Sequence, residues 1–340
     1  MGTAIGSAVL AAATLLAVQG CAATAAPADP AAPAGHSVSF ATARAVYASY
    51  LKASDAAAVQ GNSTQALSNL SAAQWAQVKA QYRALASTGT PVPRYQYGTP
   101  VFYVPALSTY PQWFMVAVPR RTEDGGQPSD KWGAPVSTLM LFVRARQAVP
   151  WALSGTTVLS RPLPAIARDS DGYAIDVTTT DPSLLLRPDV VGATQAAVVD
   201  DGPASPAAAV VGDGPQTTGF YAAQSAHAAA LKARGLIYQW LLEGAAFGQF
   251  ELRLAGGGAL VLYGMYLNTT TEHHNLVTGA PIPAPANVSP LFAAPTEVGY
   301  HGLWVNWTYQ FAAIDPPAST HNAKIQVIGW LGAPTYAHAS

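Results

Sequence analysis

Few side chains here have the type and spacing for chemistry. Glu272-His273-His274 offers the donor types of a zinc site. On a strand, however, adjacent side chains point to opposite faces, so the two histidines do not meet at one tetrahedral ion. The zinc-protease pattern, two histidines four apart on a helix with glutamate beside the first, is absent. Asp169-Ser170-Asp171-Gly172 opens like a calcium loop, but Thr180 stands where an EF-hand needs its bidentate glutamate. A solvent turn and a weak calcium site are the two readings of that segment. Gly256-Gly257-Gly258 lacks the helix and lysine of a phosphate loop and reads as a hairpin turn. His227 shares a helical face with Phe220 and Leu231, which reads as a core histidine without a carboxylate partner. No Gly-x-Ser-x-Gly elbow occurs. The sequence therefore assigns no catalytic residue, no metal and no cofactor.

Recognition is the better prospect. Leu303, Val305, Trp307, Tyr309 and Phe311 alternate with Trp304, Asn306, Thr308 and Gln310, the period of a strand with one buried face. Trp304 breaks an otherwise neutral, hydrogen-bonding face, so Trp304, Asn306 and Thr308 are the candidate ligand-binding residues. Two segments are expected to compete for that face: a helix from Thr218 to Arg234, and the Pro-rich stretch Pro281 to Pro295. Trp304, Trp307, Tyr309, Tyr263 and Tyr266 together are dense enough to line a pocket. Asn-x-Ser/Thr triplets at Asn62, Asn268, Asn287 and Asn306 would matter only in a eukaryotic secretory route.

Composition narrows the partners. The chain has 340 residues, 50% hydrophobic and only 10% charged, with Lys+Arg 17 against Asp+Glu 18. Globular proteins carry about 25% charged residues, and a net charge of −1 excludes a basic nucleic-acid-binding stripe. Ala4 to Val18 is an uncharged apolar run, suited to a secretory signal and shorter than the roughly 20 residues of a membrane span. It leads to Leu16-Ala17-Val18-Gln19-Gly20-Cys21, and Cys21 is the sole cysteine. That segment resembles a bacterial lipobox, which implies cleavage before Cys21 and acylation of its thiol. Ala22 to Gly35 holds no large apolar side chain to offset the entropy of ordering, and reads as a tether.

The elements that must position these residues come in two passes of helices then strands. Ser39 caps a helix whose Phe40, Ala43, Tyr47, Tyr50 and Leu51 share a face. Ser71 and Gln74 form a possible capping box for a second helix with Trp75, Val78, Tyr82 and Leu85 in line. Strands are expected over 94–104, 112–119, 137–146 and 151–159, with a polar Gly-rich loop at 122–133. Helices at 189–200 and from Thr217 or Thr218 to Arg234 follow, then strands over 237–242, 250–254, 259–268, 303–311 and 324–331. The reading is α+β: signal peptide 1–20, lipidated Cys21 and tether 21–38, and two domains, 39–187 and 188–340. Each domain is expected as helices followed by a curled antiparallel sheet, NTF2-like or cystatin-like by analogy.

Gln112-Trp113-Phe114 after Tyr110-Pro111, Leu141-Phe142-Val143-Arg144 with Pro150-Trp151-Ala152-Leu153, and Gly256 to Val261 resemble segments of uncharacterised actinobacterial lipoproteins. In those proteins a signal and lipobox precede about 300 residues of α+β sequence ending in a domain of unknown function. The resemblance implies a protein anchored by lipid on the extracytoplasmic face of the cell membrane, and brings no catalytic residues. The leading functional reading is binding, of an envelope protein or a small apolar ligand, without catalysis. An envelope hydrolase and a structural spacer are the alternatives.

Overall fold

The computed structural model describes residues 38–122, 135–274, 281–292 and 301–339. Ser39 opens α1 (Phe40–Gln60): its hydroxyl accepts from the Thr42 amide at 3.0 Å, satisfying one of the helix's unpaired donors. Ala43 and Tyr47 are buried, with Phe40, Tyr50 and Leu51 packed beside them, the face expected from spacing. A single turn, α2 (Ser63–Leu67), is capped by Asn62. In α3 (Ala72–Thr88) the expected face holds at buried Tyr82 and half-buried Val78 and Leu85 but fails at Trp75. The helix buries Ala73, Gln74, Gln77, Ala80 and Tyr82, and leaves Trp75 39% exposed beneath the Lys79 ammonium. No capping box forms either. The Ser71 hydroxyl pairs instead with that of Ser154 at 2.6 Å, and Gln74 turns inward.

The strands are β1 (Tyr95–Tyr97), β2 (Val101–Tyr103), β3 (Gln112–Thr122), β4 (Val136–Arg144), β5 (Ala152–Leu159), β6 (Leu236–Gly244), β7 (Phe250–Arg253), β8 (Ala259–His273), β9 (Gly302–Asp315) and β10 (Gln326–Ala339). Between β5 and β6 run α4 (Pro188–Asp201) and α5 (Thr218–Lys232). The strand expected over 94–104 is broken into β1 and β2 at Gly98-Thr99-Pro100. The Gly256-Gly257-Gly258 turn between β7 and β8 forms as read, with φ of 83° at Gly257 and 75° at Gly258.

All ten strands lie in one antiparallel sheet, ordered β1-β3-β4-β5-β10-β9-β8-β6, with β2 also on β3 and β7 also on β8. Segments 39–187 and 188–340 thus contribute β1–β5 and β6–β10 to the same sheet. Read inward from either end, the path repeats itself: two strands share one edge of a third (β1 and β2 on β3, β6 and β7 on β8), and two more strands follow. The seam is β5 against β10, where only Gly329↔Leu159 and Trp330↔Val158 pair. The sheet curls so that Trp113, Met115, Leu139 and Leu141 meet Phe250, Leu252, Leu260 and Leu262 inside, with Trp113 and Phe250 edge to face at 5.4 Å. On the outer faces, α1 covers Phe114, Val116 and Phe142, while α4 and α5 cover Val261, Tyr263, Met265 and Phe311.

The short ladder at the seam leaves most of β5's edge to be satisfied by other means. Residues 69–71 supply part: Leu153 donates to the Asn69 carbonyl and accepts from the Ser71 amide, each at 3.0 Å. Side chains supply the rest. Gln310 Oε1 accepts from the Thr156 amide at 2.7 Å, and Gln310 Nε2 donates to Gln77 Oε1 at 2.6 Å. Gln77 Nε2 then donates to the carbonyls of Thr308 and Leu331 at 2.8 and 3.1 Å. A Cβ at Gly155 would stand 2.6 Å from Gln310 Oε1 and would push that side chain away from the Thr156 amide. Gln310→Leu removes one partner from three buried groups, the Thr156 amide, Gln77 Oε1 and Gln74 Oε1. A loss of about 2–4 kcal/mol in denaturant unfolding is expected, against less than about 1 kcal/mol for an exposed glutamine such as Gln239.

Among the described residues two carboxylates are buried with an oxygen that has no hydrogen-bond partner, Glu251 Oε1 and Asp315 Oδ2. Burial pushes Glu251 up to about 8, helped by the negative charges of Asp176 and Asp189. Burial pushes Asp315 up to about 7, opposed by the amides of Leu186 and Leu185. Both values lie above those of an unfolded chain, roughly 4, so the folded state keeps protons that the unfolded state has released. Stability from these groups is therefore full at acid pH and is lost as pH rises towards 8. Glu251→Gln should melt close to wild type at about pH 5 and above it at about pH 8.5. Equal melting shifts at both pH values would place the Glu251 titration elsewhere.

Candidate functional site

The structure separates the three candidate binding residues. Thr308 is fully buried, and its hydroxyl pairs with that of Thr335 at 2.9 Å. Asn306 is half-buried: its amide donates to Asn268 Oδ1 at 2.5 Å, and Asn268 donates to Glu243 at 2.5 Å. Trp304 is also half-buried, stacked on His338 with ring centroids 5.7 Å apart and lying over Gly302. The two segments expected to cover this face cover the other one. Phe220 of α5 meets Tyr309 at 5.7 Å, and Ile282, Val288 and Leu291 pack with Leu303 and Val305. The buried end of the Trp304 face lies under Gln74 and Gln77 of α3. Helical amphipathicity gave no sign of this, because both residues belong to what spacing marks as a polar face.

Trp307 and Tyr309 do line a cavity, of about 410 Å³, between α5, β6, β8, β9 and residues 282–288. Tyr238 and His227 stand on its wall, ring against ring at 4.7 Å, and Tyr238 donates to Gln224 at 2.6 Å. The other aromatics of the expected cluster lie elsewhere. Tyr263 is buried under α4 with its hydroxyl on Gln195 at 2.6 Å, and Tyr266 packs against Phe247. His227 is exposed and not a core residue, since α5 buries only Phe220 and Leu231.

A second cavity, of about 340 Å³, opens between α1, α3, β1 and the end of β3. Tyr50, Tyr95, Tyr97, Gln74, Gln77 and Arg120 are among the side chains on its walls. No spacing in the sequence marked it, because its residues come from many separate elements, from α1 to β10.

The remaining sequence candidates have local roles. Asp169 Oδ1 accepts from the amides of Asp171 and Tyr173 at 3.0 and 2.8 Å, so this carboxylate stabilises its own turn. Glu272 and His273 alternate at the end of β8, opposite Ile237 and Leu236. Among the described residues no three His, Cys, Asp or Glu side chains gather around one point. Among the same residues no helix is long and apolar enough to cross a membrane. Residues 1–37, with the signal, Cys21 and the tether, lie outside the described residues, as does 123–134 of the polar loop.

No solved structure matches this chain. An "Uncharacterized lipoprotein" of Streptomyces avermitilis is 24% identical over 291 residues, covering 84% of this chain and 79% of the relative. The match to a family extends over almost every element described above, from residue 38 to residue 338: the chain belongs to DUF8094, a domain of unknown function.

Proposed function

We propose that the protein is anchored on the extracytoplasmic face of the cell membrane through lipid on Cys21, and there binds a small apolar ligand without chemical turnover. The observation that carries this reading is the aromatic cavity of about 410 Å³, within the roughly 300–1,000 Å³ of small-molecule sites. Trp307, Tyr309 and Tyr238 give it large, rigid walls, and Ile282, Pro283, Ala284 and Val288 close it from the other side. The uncharged run ending at Cys21, and a relative described as a lipoprotein, support the anchor. The carboxylates with raised pKa values, Asp200, Glu251 and Asp315, line neither large cavity, which supports binding over acid–base chemistry. In this reading segments 39–187 and 188–340 are two NTF2-like or cystatin-like units, supported by their matching order of helices before strands.

A second reading, docking of an envelope protein on the face of Trp304 and Asn306, is favoured by Leu241 and Tyr336, 50% and 63% exposed on strands of the same sheet. Cys21→Ala should move the protein from the membrane fraction to the medium, or leave the signal uncleaved. Retention in the membrane with an unchanged mature N-terminus would refute the anchor. Native mass spectrometry of the extracted protein should show a non-covalent mass that Trp307→Ala loses and Trp304→Ala keeps. The reverse pattern, with a protein partner lost from Trp304→Ala, would select the second reading.

A further inference from the structure

Arg120 lies near the end of β3, facing Tyr97 in the ladder with β1, and its guanidinium covers the ring of Tyr95 at 4.4 Å. Its Nε is buried and makes no hydrogen bond, and among the described residues it forms no ion pair. The residue is half-buried, a guanidinium without a counter-ion is costly in proportion to its burial, and no acid among the described residues pairs with it. Asp55, on the neighbouring wall, is held in a bidentate pair by Arg94 at 2.7 and 3.0 Å. Arg120 is moreover the one charged side chain among the residues that line the cavity between α1 and α3. Beside it stand the hydroxyls of Tyr50 and Tyr97. Burial pushes Tyr50 up to about 12 and Tyr97 further, so both stay neutral and able to donate. Away from Arg120 the walls turn apolar with Val78, Met140, Leu291 and Leu331, interrupted by the amides of Gln81 and Asn287.

We propose that this cavity binds a small organic anion, with its carboxylate or phosphate on Arg120 and the tyrosine hydroxyls and its apolar body against Val78, Met140 and Leu291. A planar guanidinium matches either oxyanion with paired N–H donors. The site is separate from the aromatic cavity beneath residues 282–288, shares no side chain with it, and does not depend on occupancy there.

The test is calorimetric titration of the full chain with benzoate, phenyl phosphate and, as the neutral counterpart, benzyl alcohol. At least one of the two anions should bind more than about tenfold tighter than the alcohol, and the better one identifies the head group. Arg120→Gln should abolish that preference, Arg120→Lys should keep part of it, and Trp307→Ala should leave it unchanged. Absence of binding by either anion, equal binding of anion and alcohol, or undiminished anion binding by Arg120→Gln would overturn the proposal. If Arg120→Gln does not fold, Val78→Trp fills the cavity from half-buried α3 with Arg120 intact. Anion binding should then be lost, and its persistence would equally overturn the site. Loss of the non-covalent mass in Trp307→Ala with anion preference retained would separate this site from the apolar one.

Discussion

The edge of β5 is the constraint around which the molecule is arranged. A strand in the middle of a sheet must pair along both edges, yet β5 meets β10 at only the pairs Gly329↔Leu159 and Trp330↔Val158. The contact is close: a Cβ at Gly329 would sit 2.8 Å from Leu159 Cδ2 and 3.1 Å from the Val158 carbonyl. Beyond it the strands diverge, and the gap is filled by the backbone of residues 69–71 and by three glutamines. Gln77 and Gln310 each both donate and accept, which suits a gap bounded by an amide on one strand and carbonyls on two others. An apolar side chain at position 310 would fill the same volume and leave the Thr156 amide unpaired.

Drawing α3 into the seam has consequences on both sides of it. The helix lies across β5, β9 and β10, so it does not pack flat beside α1, and the space left between the two helices is the cavity with Arg120. Pro334 finds its place for the same reason. Past Trp330, β10 has no strand on its outer edge, where a residue without an N–H costs no ladder bond. The position of Leu331 is instructive: its carbonyl accepts from Gln77 while its side chain lines the cavity.

What the sequence made legible is what obeys local periodicity. The helix cap at Ser39 and the Gly-rich hairpin are written in neighbouring residues, and each is found; the period of β9 marks the strand, but Thr308 and Gln310 of its polar face are buried while Trp307 and Tyr309 are half-buried. The pairing of β5 with β10 joins residues some 170 apart, and nothing local encodes which edge meets which. The burial of Gln74 and Gln77 inverts the rule that polar spacing marks the solvent side, because a backbone gap needed hydrogen bonds more than apolar area. Trp75 is the mirror case, an aromatic read as core that lies outside under Lys79. Of the aromatic cluster, Trp307 and Tyr309 were legible as pocket walls, whereas Arg120 was one basic residue in a short run until the fold placed it among tyrosines.

The two cavities share a wall. Residues 281–292 present Asn287 and Leu291 to the cavity of Arg120, and Ile282, Pro285 and Val288 to the aromatic one. The Ser289–Leu291 turn lies between these contacts, and Arg83 of α3 fixes its far end by donating to the Phe292 carbonyl at 2.7 Å. A ligand that displaced this segment from either side would work against the same Arg83 contact and the same buried Val288 and Leu291. Gln77 extends the same logic inward, since it lines the Arg120 cavity and also closes the seam. The hydrogen bonds that hold the two halves of the sheet together therefore form part of the wall against which a ligand would pack.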